Sequence, residues 1–202
     1  MNQKEIFTSE GDDWWNKAML MHGWPHKWSI YATGYKDAAD RVVLSIERGE
    51  GLIDFMVYPI LFLYRHFLEI SIKTSIRDAQ DLLHIVPRQK PKKNDKRQMA
   101  EAVQGHDLES LWGYLIELML QIYPGLEISE FDETSAVIRA FHHHDLDGDA
   151  ARYPTSLRGS SSLKTIDEVN LRKLREDMEK AQGGFYQIEG VLDYEKDSRN
   201  LF

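Results

Sequence analysis

The stretch from Tyr58 to Leu82 constrains the fold more than any other part of the chain. At about 100° of rotation per residue, Leu61, Leu63, Tyr64, Phe67, Leu68, Ile70 and Ile72 cover roughly 200° of a helix. Arg65, His66, Glu69, Lys73 and Arg77 gather in the remaining third. An apolar arc that wide must be packed on several sides. The charged edge is left for ion pairing, dimerisation or a ligand. Pro59 suits the first turn, where its missing N–H costs nothing.

The rest of the chain supplies partners for such a helix. Residues 31–48 are amphipathic, with Tyr35, Ala38, Ala39, Val42, Val43 and Ile46 on one face and Lys36, Asp37, Asp40, Arg41 and Glu47 off it; Gly49 and Gly51 end the segment. Asp107 is the expected N-cap of a helix carrying Leu108, Leu111, Trp112, Leu115, Ile116, Met119 and Leu120, stopped by Pro124-Gly125. A further helix is predicted from Asp132 to His142, with Val137, Ile138 and Phe141 inward. Another is expected from Thr165 to Gln182, halted by Gly183-Gly184, and a short one over 185–194. No sustained alternation of apolar and polar residues indicates a strand, and no repeat is present. The expected class is all-α. The whole chain reads as a single helical domain, with 1–54 an N-terminal extension and helix, 55–182 the core and 183–202 a tail.

Composition narrows the function. The 202 residues are 42% apolar and 29% charged, an ordinary globular balance. A net charge of −8 argues against a surface that coats DNA, but leaves room for a local basic site. Six positive charges and one negative fall in residues 88–97, R-Q-K-P-K-K-N-D-K-R. This segment reads as a solvated loop or, through Lys92, Lys93 and Arg97, as a contact for phosphate. The chain has no cysteine, so disulfides and thiol chemistry are absent. The start, M-N-Q-K-E-I-F-T-S-E, lacks the apolar run of a signal peptide, and the central helix is broken by charges. A soluble, cytoplasmic protein without a membrane partner is expected. Trp14, Trp15, Trp24 and Trp28 crowd the first 30 residues, reading as a cap on the core or as a stacking platform.

Several motifs invite chemistry. D-L-D-G-D, Asp145–Asp149, resembles the start of a calcium loop. However, Ala150 and Ser156 stand where glycine and glutamate are needed, so a polar turn is expected. His142, His143 and His144 are adjacent on a helix and point about 100° apart, which disfavours a shared metal. No metal and no cofactor are expected, since a glycine-rich phosphate loop is also lacking. Arg139 and His144 are the candidate catalytic pair: histidine can move protons and arginine can stabilise charge on a phosphate. Arg152-Tyr153-Pro154 reads either as an anchored loop or as an anion-binding arginine.

Taken in order, L-E-I-S-I-K-T-S-I (68–76), G-H-D-L-E-S-L-W (105–112) and Arg152-Tyr153-Pro154 resemble the HEPN superfamily, the higher eukaryotes and prokaryotes nucleotide-binding domain. Glu69 and Lys73 match a Glu then Lys one turn apart. His106, Asp107 and Leu108 match the helix start that follows, and the likeness spans roughly residues 55–182. It implies an up-and-down bundle of four to five helices, commonly a homodimer. It also implies a role in toxin–antitoxin or anti-phage defence, as a metal-independent ribonuclease acting on RNA and held by an antitoxin or other protein partner. By that likeness Arg139 and His144 would be catalytic, and Arg152, Tyr153 and the 88–97 loop would grip phosphate. The other reading is a non-catalytic interaction or RNA/nucleotide-binding module, in which Arg65, His66, Glu69, Lys73, His106 and Asp107 form an internal or interface network.

Overall fold

A computed structural model describes residues 11–20, 23, 27–87, 89–145, 148, 150–155, 163 and 165–200. Among the described residues, six α-helices pack as a bundle: α1 (Lys27–Glu47), α2 (Ile53–Leu82), α3 (Lys96–Glu101), α4 (Leu108–Ile122), α5 (Asp132–His144) and α6 (Leu171–Asn200). Among the described residues there is no strand. The helix α2 is central, packed against α1 on one side and against α4 and α6 on others, as its wide apolar arc requires. Ile60, Tyr64, Leu68, Ile72 and Ile76 are fully enclosed. An aromatic column joins three helices: Phe67 of α2 meets Phe185 of α6 edge-on at 5.9 Å. Phe185 in turn meets Trp112 of α4 at 5.9 Å. The Trp112 indole donates to Ser135 Oγ of α5 at 2.9 Å, which satisfies its buried N–H.

Local signals explain most boundaries. Gly49 ends α1 at φ +78°, the left-handed conformation that glycine adopts without a Cβ clash. The Glu50 N–H then donates back to the Ser45 carbonyl at 2.9 Å. Asp107 caps α4 by accepting the Ser110 N–H at 2.8 Å. The basic loop is interrupted by a short helix, because Asp95 accepts the Gln98 N–H at 3.0 Å and starts α3 at Lys96.

Three expectations change. The helix α2 begins at Ile53, so Pro59 lies inside it rather than in the first turn. Both Pro59 and Phe55, whose carbonyl loses the proline N–H, are exposed, and water can solvate that carbonyl. The predicted helix from Thr165 and its stop at Gly183-Gly184 give way to one continuous α6 that starts at Leu171 and runs through both glycines. Gly184 is buried against α5, where an added Cβ would lie 2.1 Å from Thr134 Oγ1 and 3.1 Å from Thr134 Cβ. Glycine there permits a close helix crossing instead of ending a helix. Lastly, Trp14 and Trp15 do not cap the core: they are 75% and 69% exposed, on a three-residue 3-10 turn too short to present an amphipathic face. Trp28 does find a partner, the Arg77 guanidinium 4.2 Å from its ring. Trp24 lies outside the described residues.

Candidate functional site

The charged edge of α2 becomes a layered polar cluster. Arg65 is 3% exposed, at a depth where an unpaired guanidinium would be costly, and each of its nitrogens has a partner. Its Nη1 donates to Glu69 Oε2 at 3.0 Å, its Nη2 to the His106 carbonyl at 2.6 Å, and its Nε to the Asp145 carbonyl at 3.3 Å. The Asp145 carboxylate lies 3.7 Å from Nε and accepts the Ala150 N–H at 3.0 Å. Gly148 completes this turn at φ +78°, with an added Cβ only 3.2 Å from Arg65 Nη2. Asp145, at the start of the expected polar turn, is 7% exposed and part of the Arg65 anchor. Asp147 and Asp149 fall outside the described residues, as does the Gly159–Ser162 link.

Glu69 joins this inner layer to an outer one. Its Oε1 accepts from Lys73 Nζ at 2.7 Å and lies 2.9 Å from His106 Nδ1. Burial pushes the Glu69 carboxyl up, but Lys73, His106 and Arg65 together outweigh burial and hold it below the usual range. An ionised carboxylate only accepts, so His106 Nδ1 carries the proton in this contact. The His106 side chain is 63% exposed, whereas Glu69 is 6% and Lys73 12% exposed. One turn toward the N-terminus, His66 stacks on Phe62 (5.6 Å, 14°) and meets Tyr35 of α1 edge-on (4.5 Å, 90°). Burial lowers the His66 pKa, opposed by Glu69. Arg152 closes this end, its guanidinium 5.8 Å from the Phe62 ring and 5.5 Å from that of Tyr153.

At the other end, Asp107 is bound by Lys96 Nζ at 2.5 Å, which ties the basic loop to the turn that carries His106. Burial raises the Asp107 carboxyl, but Lys96, Ser110 and His142 prevail and hold it low. Lys92 and Lys93 are exposed on that loop. Arg97 is engaged differently: it pairs with Glu101 and Glu117 and lies over the Tyr114 ring at 4.8 Å, so its charge is already matched by carboxylates.

The catalytic candidates Arg139 and His144 are not brought together within the chain. Five residues apart on α5, they point about 140° from one another. Arg139 is exposed. His144 accepts or donates at Nδ1 to Thr165 Oγ1 (2.9 Å) and borders a largely apolar cavity of about 310 Å³ between α2, α5 and α6. Burial, then His143, lowers its pKa. Of the three histidines, His142 turns away to Glu109 at 3.4 Å, while the rings of His143 and His144 meet edge-on at 5.0 Å.

The periodicity of α1 places Lys36 off its apolar face. It is 3% exposed, paired with Asp40 at 2.7 Å, and Asp40 also accepts the Tyr64 hydroxyl at 2.7 Å. The i,i+4 spacing of Lys36 and Asp40 was the available signal. Their burial depends on α2 and could not be read from α1 alone. Comparison with protein-family models, curated proteins and solved structures returns no match.

Proposed function

We propose that this chain is a HEPN-like, RNA-targeting helical bundle whose RNA face runs along the outer edge of α2. The single observation carrying this reading is the meeting at Glu69 Oε1 of Lys73 (2.7 Å) and His106 (2.9 Å). Two sequence motifs 37 residues apart thereby form one site. Arg152, from the third motif, adjoins the same edge through Phe62. The Lys96–Asp107 pair leads the Lys92/Lys93 loop into it. Such a track offers cations for phosphates and the rings of Tyr35, Phe62 and Tyr153 for unstacked bases. A role in toxin–antitoxin or anti-phage defence, in the cytoplasm, with an antitoxin-type protein partner and as a homodimer, belongs to this proposal.

The test is binding of a single-stranded RNA oligonucleotide across a salt series. Affinity should fall as salt rises, and the slope should flatten by about one for each phosphate contact removed in Arg152→Ala and by about two in the Lys92→Ala/Lys93→Ala double variant. Binding that does not respond to salt, or is unaltered in both variants, overturns the RNA face. Cleavage through Arg139 and His144 requires a second protomer to bring the two groups together. It predicts metal-free cleavage lost in Arg139→Ala and in His144→Ala.

A second reading is favoured by the matching of Arg65 to Glu69, Asp145 and the His106 carbonyl. In it the cluster only locks α2 to two loops of a non-catalytic interaction module. It predicts that truncations in the cluster change stability while RNA affinity is nil.

A further inference from the structure

We propose that the cavity between α2, α5 and α6 is a binding site for an uncharged, largely apolar molecule of about two fused rings that carries one hydroxyl. The inference does not rest on the RNA-targeting reading. Helices α5 and α6 approach most closely where Gly184 meets Thr134. Toward the C-terminus of α5 and the N-terminus of α6, a space of about 310 Å³ lies between them and α2. Leu61 of α2, Phe141 of α5, Val169 just before α6 and Leu174 within it line this space. The small side chains of Ala140 and Ala151 leave it open. An apolar cavity of roughly 150 Å³ takes up benzene. Twice that volume suits two rings, and it falls at the lower end of the range for small-molecule sites.

The charges at its edge decide the class of ligand. Two cations border the cavity and both are matched: Arg65 by Glu69 and Asp145, Lys173 by Asp177. The remaining carboxylate, Glu168, is exposed and keeps its water, so it rewards a cation little. A charged ligand of either sign would give up hydration without gaining an unmatched, desolvated partner, so the site selects for an uncharged one. His144 supplies the hydrogen bond. Its Nδ1 is engaged by Thr165 Oγ1 at 2.9 Å, and among the described residues its Nε2 has no hydrogen-bond partner. Asn170, the other uncharged polar side chain there, uses its Oδ1 to accept the Lys173 N–H at 3.0 Å. Burial, then His143, holds the His144 pKa below the usual 6.5, so near neutral pH the ring is uncharged. A neutral imidazole presents a donor or an acceptor at Nε2, according to its tautomer. A hydroxyl answers either, which an ether or a ketone cannot.

Three probes titrated into the full chain at neutral pH test the site: β-naphthol, naphthalene and β-naphthoate, followed by the NMR methyl signals of Leu61, Val169 and Leu174. β-Naphthol should bind saturably and move those signals. Naphthalene, which lacks the hydroxyl, should bind about 3- to 10-fold more weakly, the worth of one hydrogen bond. The anionic naphthoate should bind at least about 10-fold more weakly than β-naphthol. His144→Leu should bring β-naphthol down to the affinity of naphthalene and leave naphthalene unchanged. Ala140→Leu, which places side-chain volume in the cavity from an exposed position on α5, should weaken both ligands about 10-fold or more. Shifts that do not saturate, that fall on other residues or that survive Ala140→Leu overturn the site. Equal affinity for naphthalene and β-naphthol overturns the His144 contact, and equal affinity for naphthoate overturns the uncharged class. The comparison of probes uses the wild type alone, so it decides the class of ligand whatever the stability of the variants.

Discussion

Replacing Gly184 with alanine probes the α5–α6 crossing directly, because the chain supplies its own control. An alanine Cβ at 184 would lie 2.1 Å from Thr134 Oγ1, 3.1 Å from its Cβ and 3.4 Å from its Cγ2. Rotating the threonine about χ1 moves Oγ1 and Cγ2 but not Cβ, so one contact stays too close and the helices must part. Overpacking of this kind costs about 1–3 kcal/mol, against a gain of up to about 1 kcal/mol from alanine's better helix propensity. Gly183, next in the same helix, has nothing within 4 Å of an added Cβ. Gly183→Ala should therefore gain about 0.5–1 kcal/mol outright. For a chain of this length each kcal/mol shifts Tm by about 2–4 °C. Thermal and urea unfolding should thus place Gly183→Ala above wild type and Gly184→Ala below it. Adding Thr134→Ala to Gly184→Ala should recover part of the loss by removing Oγ1 and Cγ2. If Gly184→Ala proves as stable as Gly183→Ala, the two helices do not cross at this distance and the reasoning fails.

Arg65→Met should destabilise by about 3–5 kcal/mol in chemical denaturation, because it leaves Glu69 Oε2 without its donor and the buried Asp145 carboxylate without its opposing charge. Neutralising both in the Arg65→Met/Glu69→Gln/Asp145→Asn triple variant should restore part of that loss, and equal stability of the single and triple variants would refute the pairing. Acidification should lower stability in two windows. The His66 pKa is depressed by burial from its usual 6.5, so the folded state binds fewer protons and stability is lost as pH falls from there through the folded value. Glu69, held below its usual 4.5, contributes stability above that pH that disappears as pH drops through its folded value. Urea midpoints measured against pH should show both declines, and His66→Phe should shrink the upper one to the part due to His144 while sparing the lower.

What could be read from the sequence was local or periodic. The Asp107 cap depends on the Ser110 N–H three residues away, and the arc of α2 on its own repeat, so both were visible in the residue order. Gly184 was misread because the atom that requires glycine belongs to Thr134, fifty residues earlier and on another helix. A glycine pair has the same appearance whether it ends a helix or lets one approach a neighbour. Lys36 falls outside the apolar face for a similar reason: a lysine counts as polar in a periodicity, yet with Asp40 as its partner it is buried. At the site, the stripe of Arg65, Glu69 and Lys73 was apparent, but which of its members faced inward depended on loops contributed by His106 and Asp145.

That division of the stripe into depths has a consequence for how function can be separated from folding. Arg65 and His66 are consecutive, yet a helix turns by about 100° between them, enough to place one in the anchor and the other beside Tyr35. Glu69 serves both layers through its two oxygens, Oε2 facing Arg65 and Oε1 facing Lys73 and His106. Any change at Glu69 therefore alters the core and the surface together. His106 differs because its backbone carbonyl, not its side chain, receives Arg65 Nη2. Truncating the side chain leaves that anchor in place and removes the exposed imidazole together with its contact to Glu69 Oε1. The backbone keeps the loop in register while most of the side chain faces outward, so His106 is a position where the proposed RNA face and the purely structural reading give opposite outcomes in RNA binding.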